Sequence, residues 1–113
     1  MRPTADDWYA ARTIFRHVSL RPRRRQKHVY EERIVLLRAA SETQAIQKAE
    51  RDAAKYADAH AGVEYVGFVE TFRLVESRIR SGSEVFSLMR SSSLSAPRFL
   101  SRYFADGSEH RRK

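Results

Sequence analysis

The sequence predicts an α+β domain: a four-stranded, mainly antiparallel sheet with one long helix packed on one face and a short C-terminal helix. Three observations carry this prediction. Two early segments are dense in β-branched and aromatic residues and hold no glycine, a strand composition. A helix-start signature at Ser41 opens a stretch with apolar residues at spacings of three and four. The 113 residues, 42% hydrophobic and 32% charged, suffice for one small core and one domain.

The first strand is expected from Trp8 to Val18. Alternation puts Trp8, Ala10, Arg12, Ile14, Arg16 and Val18 on one face and Tyr9, Ala11, Thr13, Phe15 and His17 on the other, so each face has apolar surface to cover. The second strand, His28 to Ala39, centres on Ile34-Val35-Leu36-Leu37. A hairpin is the simplest connection, which places Arg21-Pro22-Arg23-Arg24-Arg25-Gln26-Lys27 at its tip. In Ser41-Glu42-Thr43-Gln44 the serine hydroxyl can accept from the third helical N–H while Gln44 reaches back. Ala45, Ile46, Ala49, Ala53, Tyr56, Ala57 and His60 then form one stripe of a helix over 42–60, and Gly62 stops it.

Val63 to Glu76 returns to strand composition as the third strand. Glu70 interrupts its apolar set and is expected to pair with an arginine of the first or second strand. After a turn at Ser81-Gly82-Ser83, residues 84–90 read as the fourth strand. A serine-rich connector follows, and Ser95 with Pro97 opens a short helix whose apolar face is Phe99, Leu100, Tyr103 and Phe104. Residues 1–90 are thus expected to form the domain, with 91–113 as connector, short helix and basic tail.

These residues resemble a family of small bacterial proteins known as domain of unknown function 4288. The resemblance is carried by Trp8-Tyr9-Ala10-Ala11, Phe15-Arg16, Tyr30-Glu31-Glu32, the acidic, basic and alanine alternation after Ser41-Glu42, Tyr65-Val66-Gly67-Phe68-Val69 and Gly82-Ser83-Glu84-Val85-Phe86. It spans about residues 8–90 and implies a compact bacterial α+β domain with no catalytic residue to carry over. The arginine-rich tip and the segment after Arg90 depart from the pattern, and they hold the excess positive charge.

No local pattern of catalysis is visible. Without cysteine there is no disulfide, thiolate metal site or thiol nucleophile. His17, His28, His60 and His110 form no metal-ligand spacing; His17 and His28 flank the hairpin tip and could face each other across it, but two ligands without a placed third read as partly exposed strand-end histidines. Asp6-Asp7 and Glu31-Glu32 are neighbours whose side chains point to opposite faces of an extended chain, so neither is a shared-proton dyad. The four glycines make no phosphate-binding fingerprint. No catalytic residue, metal or cofactor is predicted. Nothing approaches 18 consecutive apolar residues and the N-terminus has no signal-peptide pattern, which predicts a cytoplasmic protein without a membrane partner.

The net charge of +8 is uneven: residues 1–40 carry +6, 41–62 carry −1, 63–90 carry none and 91–113 carry +3. Arg21, Arg23, Arg24, Arg25 and Lys27 repel one another and call for solvent or a polyanion. The expected function is a non-catalytic binding domain that contacts DNA or RNA phosphates through these five cations, with Trp8, Tyr9 and Tyr30 as stacking faces if the sheet is open. The alternative is a protein-interaction module, an immunity-type inhibitor or regulator that docks an acidic partner with the same cations and with Phe99, Tyr103 and Phe104. The same helix could join copies of the chain.

Overall fold

Strand β1 (Asp7–His17) lies at the centre of the sheet in the computed structural model, which describes residues 6–18, 20, 28–104, 107 and 109–111. It is flanked by β2 (Val29–Ala39) and β3 (Val63–Arg73), both antiparallel to it, in the order β2-β1-β3. Helix α1 (Glu42–Ala59) packs across one face, and α2 (Ala96–Tyr103) follows a long irregular segment. The fold is therefore α+β, with three antiparallel strands rather than the four expected.

The register of the β1–β2 hairpin runs without interruption from Asp7↔Ala39 to His17↔Val29, so the chain between His17 and Val29 is the hairpin connection. The predicted tip, Arg21 to Lys27, lies outside the described residues. Between β1 and β3 the register breaks: Thr13 faces Val69 but Phe15 faces Tyr65. Strand β3 thus accommodates Val66, Gly67 and Phe68 opposite Ile14 alone. Two extra residues, unlike one, keep the inward and outward parity of the strand intact on both sides. Gly67 supplies the positive φ of 84° that such a bulge requires.

Alternation decides which face the helix covers. Tyr9, Ala11, Thr13, Phe15 and His17 are all buried beneath α1, which contributes Ala45, Ala49, Ala53 and Tyr56. Three alanines at four-residue spacing, each fully buried, let the helix axis lie close to the sheet. Tyr9 packs with Ala39, Ala45 and Leu37 at one end of this layer. At the other, Phe15 meets Tyr56 edge-on at 4.8 Å and Tyr65 at 5.6 Å, with Ala53 and Val63 beside them. The helix starts as its sequence dictates: Ser41 Oγ accepts from Gln44 N at 3.1 Å. Gln44 Oε1 reaches one residue beyond the cap and accepts from Ala40 N at 2.7 Å.

The predicted fourth strand over 84–90 does not form. Leaving β3, the chain donates from Leu74 N to Trp8 O and then runs irregularly to residue 95. It crosses the sheet face instead of adding to an edge: the Phe86 ring lies 6.0 Å from Phe72, and the Arg12 guanidinium sits 5.6 Å from the Phe86 centroid. Composition favoured a strand here, but the segment pairs with neither of the outer edges that β2 and β3 leave free, and Val85, Leu88 and Met89 stay exposed. The third strand correspondingly stops at Arg73 instead of Glu76.

Candidate functional site

The end of the sheet where β1 and β2 are joined gathers most of the polar chemistry of the domain. Inward parity places Glu31 on the helix side of β2, opposite Phe15. Its carboxylate accepts from His17 Nε2 at 2.8 Å. It also accepts from the Tyr56 hydroxyl, 2.8 and 3.0 Å from its two oxygens. One carboxylate thereby links β1, β2 and α1, and the His17 and Glu31 side chains are largely shielded from solvent. The Arg33 guanidinium lies 4.2 Å from the Tyr56 ring centroid and donates to Asp52 at 2.7 Å, which extends the cluster along α1. His60 Nδ1 closes it by donating to the Tyr56 carbonyl at 2.8 Å.

This arrangement holds elements together. Both donors converge on a single acceptor, and the surface depression lined by Val75, Glu76, Ser77, Arg78 and Arg80 includes none of the cluster's residues. Sequence reasoning named His17 and Glu31 but did not join them to Tyr56, whose place in the alanine stripe was the available signal. His17 and His28 do not face one another: His17 turns inward to Glu31, while His28 is exposed with its ring 6.1 Å from that of Tyr30.

The other face of the sheet is open and charge-paired. Arg12 donates to Glu70 at 2.8 Å and reaches Glu32 at 3.3 Å, which is the cross-strand pairing expected of Glu70. Arg16 donates to Glu64, and that hydrogen bond together with the carboxylate charge raises the Arg16 pKa above its ordinary value. Arg73 pairs with Asp7 and Arg80 with Glu76. Glu31 and Glu32 point to opposite faces, as period-two alternation requires. On the helix side, burial lifts the Tyr65 pKa above 10.0, and the Glu50 carboxylate adds to the shift. No group of three or more His, Asp or Glu suited to a metal ion occurs among the described residues.

Of the three aromatics expected as stacking faces, Tyr9 is buried under α1 and Trp8 lies at the sheet end away from the hairpin connection, beneath the Arg38 guanidinium at 5.3 Å. Tyr30 alone is exposed at the root of that connection. Arg21, Arg23, Arg24, Arg25 and Lys27 lie outside the described residues. The terminal helix carries the predicted apolar face: Phe99 stacks on Tyr103 at 4.9 Å and on Phe104 at 5.8 Å, while Leu100, Tyr103 and Phe104 are exposed. No helix among the described residues is long and apolar enough to cross a membrane.

Comparison with curated proteins and with solved structures gives no match. A central strand opening on Trp8-Tyr9-Ala10-Ala11, a capped alanine-striped helix and a third strand bulged at Gly67 all fall within residues 8–87, which match DUF4288, a domain of unknown function, and the chain belongs to that family.

Proposed function

We propose that this domain is a non-catalytic binder of nucleic-acid phosphates that makes its contacts through the basic segment 21–27. The observation that carries the reading is the segregation of charge. The described residues hold 14 Lys/Arg and 13 Asp/Glu, only +1 of the chain's +8, so nearly all the excess falls on the hairpin connection and the chain ends. Arg12, Arg16, Arg33, Arg73 and Arg80 are each held by a carboxylate, which leaves the folded layers with little field to offer a polyanion. Five cations in seven positions do offer one. Tyr30, exposed where β2 begins, supports the reading by presenting a ring on which an unpaired base can stack. Phosphate contacts carry no sequence information, so binding is expected to be indifferent to base order.

The test is oligonucleotide binding by fluorescence anisotropy across a salt series, comparing the native chain with the Arg23→Gln, Arg24→Gln, Arg25→Gln triple variant. Each lost phosphate contact is expected to flatten the slope of log affinity against log salt by about 0.9 on duplex DNA or about 0.7 on single strands. Random and defined sequences should weaken alike. Unchanged affinity and slope would remove the segment from the mechanism. Absence of native binding at low salt, with nuclease-resistant recovery of one acidic protein, would replace nucleic acid with that protein partner.

A further inference from the structure

We propose that α2 is an interfacial helix that lays its apolar stripe into the headgroup layer of an anionic lipid bilayer and so holds the domain at a membrane surface. The inference is independent of nucleic-acid binding and rests on α2 and the chain around it. At about 100° per residue, Ala96, Phe99, Leu100, Tyr103 and the C-cap Phe104 fall within an arc of about 140°. Arg98, Ser101 and Arg102 occupy the opposite side. Leu100, Tyr103 and Phe104 are 51%, 45% and 57% exposed, and the helix has no buried residue. Phe99 lies against both Tyr103 and Phe104, which gathers the rings into one surface.

No strand or other helix takes up this stripe, and residues 91–95, without regular structure, separate α2 from the sheet. The helix can therefore settle on a surface without opening the core. Its two turns, about 12 Å long, fall far short of the roughly 20 apolar residues that span a bilayer, and no described helix spans one. An interfacial helix needs no such length, because it lies in the plane of the headgroups. The sequence expectation of no membrane partner came from the missing spanning segment, which this mode does not use.

Charge selects the anionic bilayer as the occupant. From Val85 to Phe104 the chain carries Arg90, Arg98 and Arg102 and no acidic residue. None of the three is in an ion pair among the described residues, and Arg90 lies instead 5.1 Å from the Tyr103 centroid. On the sheet, by contrast, Arg12, Arg16 and Arg73 are each held by a carboxylate. Unanswered cations beside an aromatic stripe complement phosphate headgroups, and arginine stems can lie along that stripe while their guanidinium groups stay among the headgroups. Beyond the helix, Arg111, Arg112 and Lys113 outweigh Asp106 and Glu109. A stripe of two turns buries little area, so the apolar and the electrostatic contributions are both needed.

The test sediments the full chain, freed of nucleic acid by nuclease, with vesicles of equimolar phosphatidylglycerol and phosphatidylcholine and with vesicles of phosphatidylcholine alone. Recovery with the mixed vesicles and little with the neutral ones is expected. The pair Leu100→Glu and Phe104→Glu should weaken binding by roughly tenfold or more. The pair Arg98→Gln and Arg102→Gln should weaken it by about fivefold per charge. Both should leave circular dichroism unchanged, since all four side chains are exposed. The Arg23→Gln, Arg24→Gln, Arg25→Gln chain should keep its dependence on α2, which separates this surface from segment 21–27. Phe104→Trp adds a reporter to a chain whose single tryptophan is Trp8, and its emission should shift to shorter wavelength on the mixed vesicles. A native chain that ignores the mixed vesicles would overturn the inference, and capture of an acidic protein through α2 in their place would assign the helix to that protein. Binding indifferent to Leu100→Glu and Phe104→Glu, or an unshifted Phe104→Trp emission, would overturn it as well.

Discussion

Glu31 shows how much can depend on one carboxylate. It accepts from His17 on β1 and from Tyr56 on α1 while belonging to β2, so three elements share one acceptor. A hydrogen bond to a charged, largely buried group contributes about 1.5 to 3 kcal/mol. Tyr56→Phe should lower stability by that amount, read as a shift in the denaturation midpoint at unchanged urea dependence. Glu31→Ala should cost more, because it leaves two donors unanswered. Tyr65 sets a limit at high pH. Its folded pKa is raised, first by burial and then by Glu50, so the folded chain holds this proton more firmly than the unfolded chain does. The stability it contributes is intact below pH 10.0 and is lost as pH rises through the folded value, and Tyr65→Phe should flatten the alkaline limb of a stability profile. Parity made the outward pairing of Glu70 legible in the sequence. The inward cluster was not, because only the docked position of α1 brings Tyr56 to Glu31.

Element boundaries were legible wherever local chemistry fixes them. The helix follows from Ser41, Gln44 and the alanine period, and it ends within a residue of its expected limit. Ala53→Glu should therefore destabilise by on the order of 4 kcal/mol, since it forces an unpaired charge into a fully buried, close-packed position; an unchanged melting temperature would refute that packing. Gly67 separates conformation from crowding, because a Cβ added there would meet nothing within 4 Å. Gly67→Ala should still cost about 1 to 2 kcal/mol, from the left-handed backbone alone. Residues 84–90 show why strand prediction failed beyond Arg73. Composition reports that a segment can be extended, whereas a strand also needs an edge that turns toward it, and that geometry is set by the path from Leu74 through the Arg80–Ser83 turn.

At the scale of the molecule, the charge map was readable from the first residue to the last, whereas the uncovered sheet face was not, since counting a fourth strand overstated the sheet. Removing residues 91–113 should leave the dilute domain within about 0.5 kcal/mol of its original stability, because α2 touches none of the other elements. Unfolding of the truncated chain would show that the helix belongs to the core. The strand order carries a consequence for synthesis. Strand β1 is synthesised before both of its neighbours, yet it occupies the middle of the sheet, and its second neighbour is complete only at Arg73. Until then one side of β1 presents a bare row of N–H and C=O groups, a template for pairing with any other extended chain. A nascent chain arrested before β3 should accordingly be a ligand for chaperones that hold exposed strands, and release should come in one step when β3 arrives, because no shorter product closes both sides of the central strand.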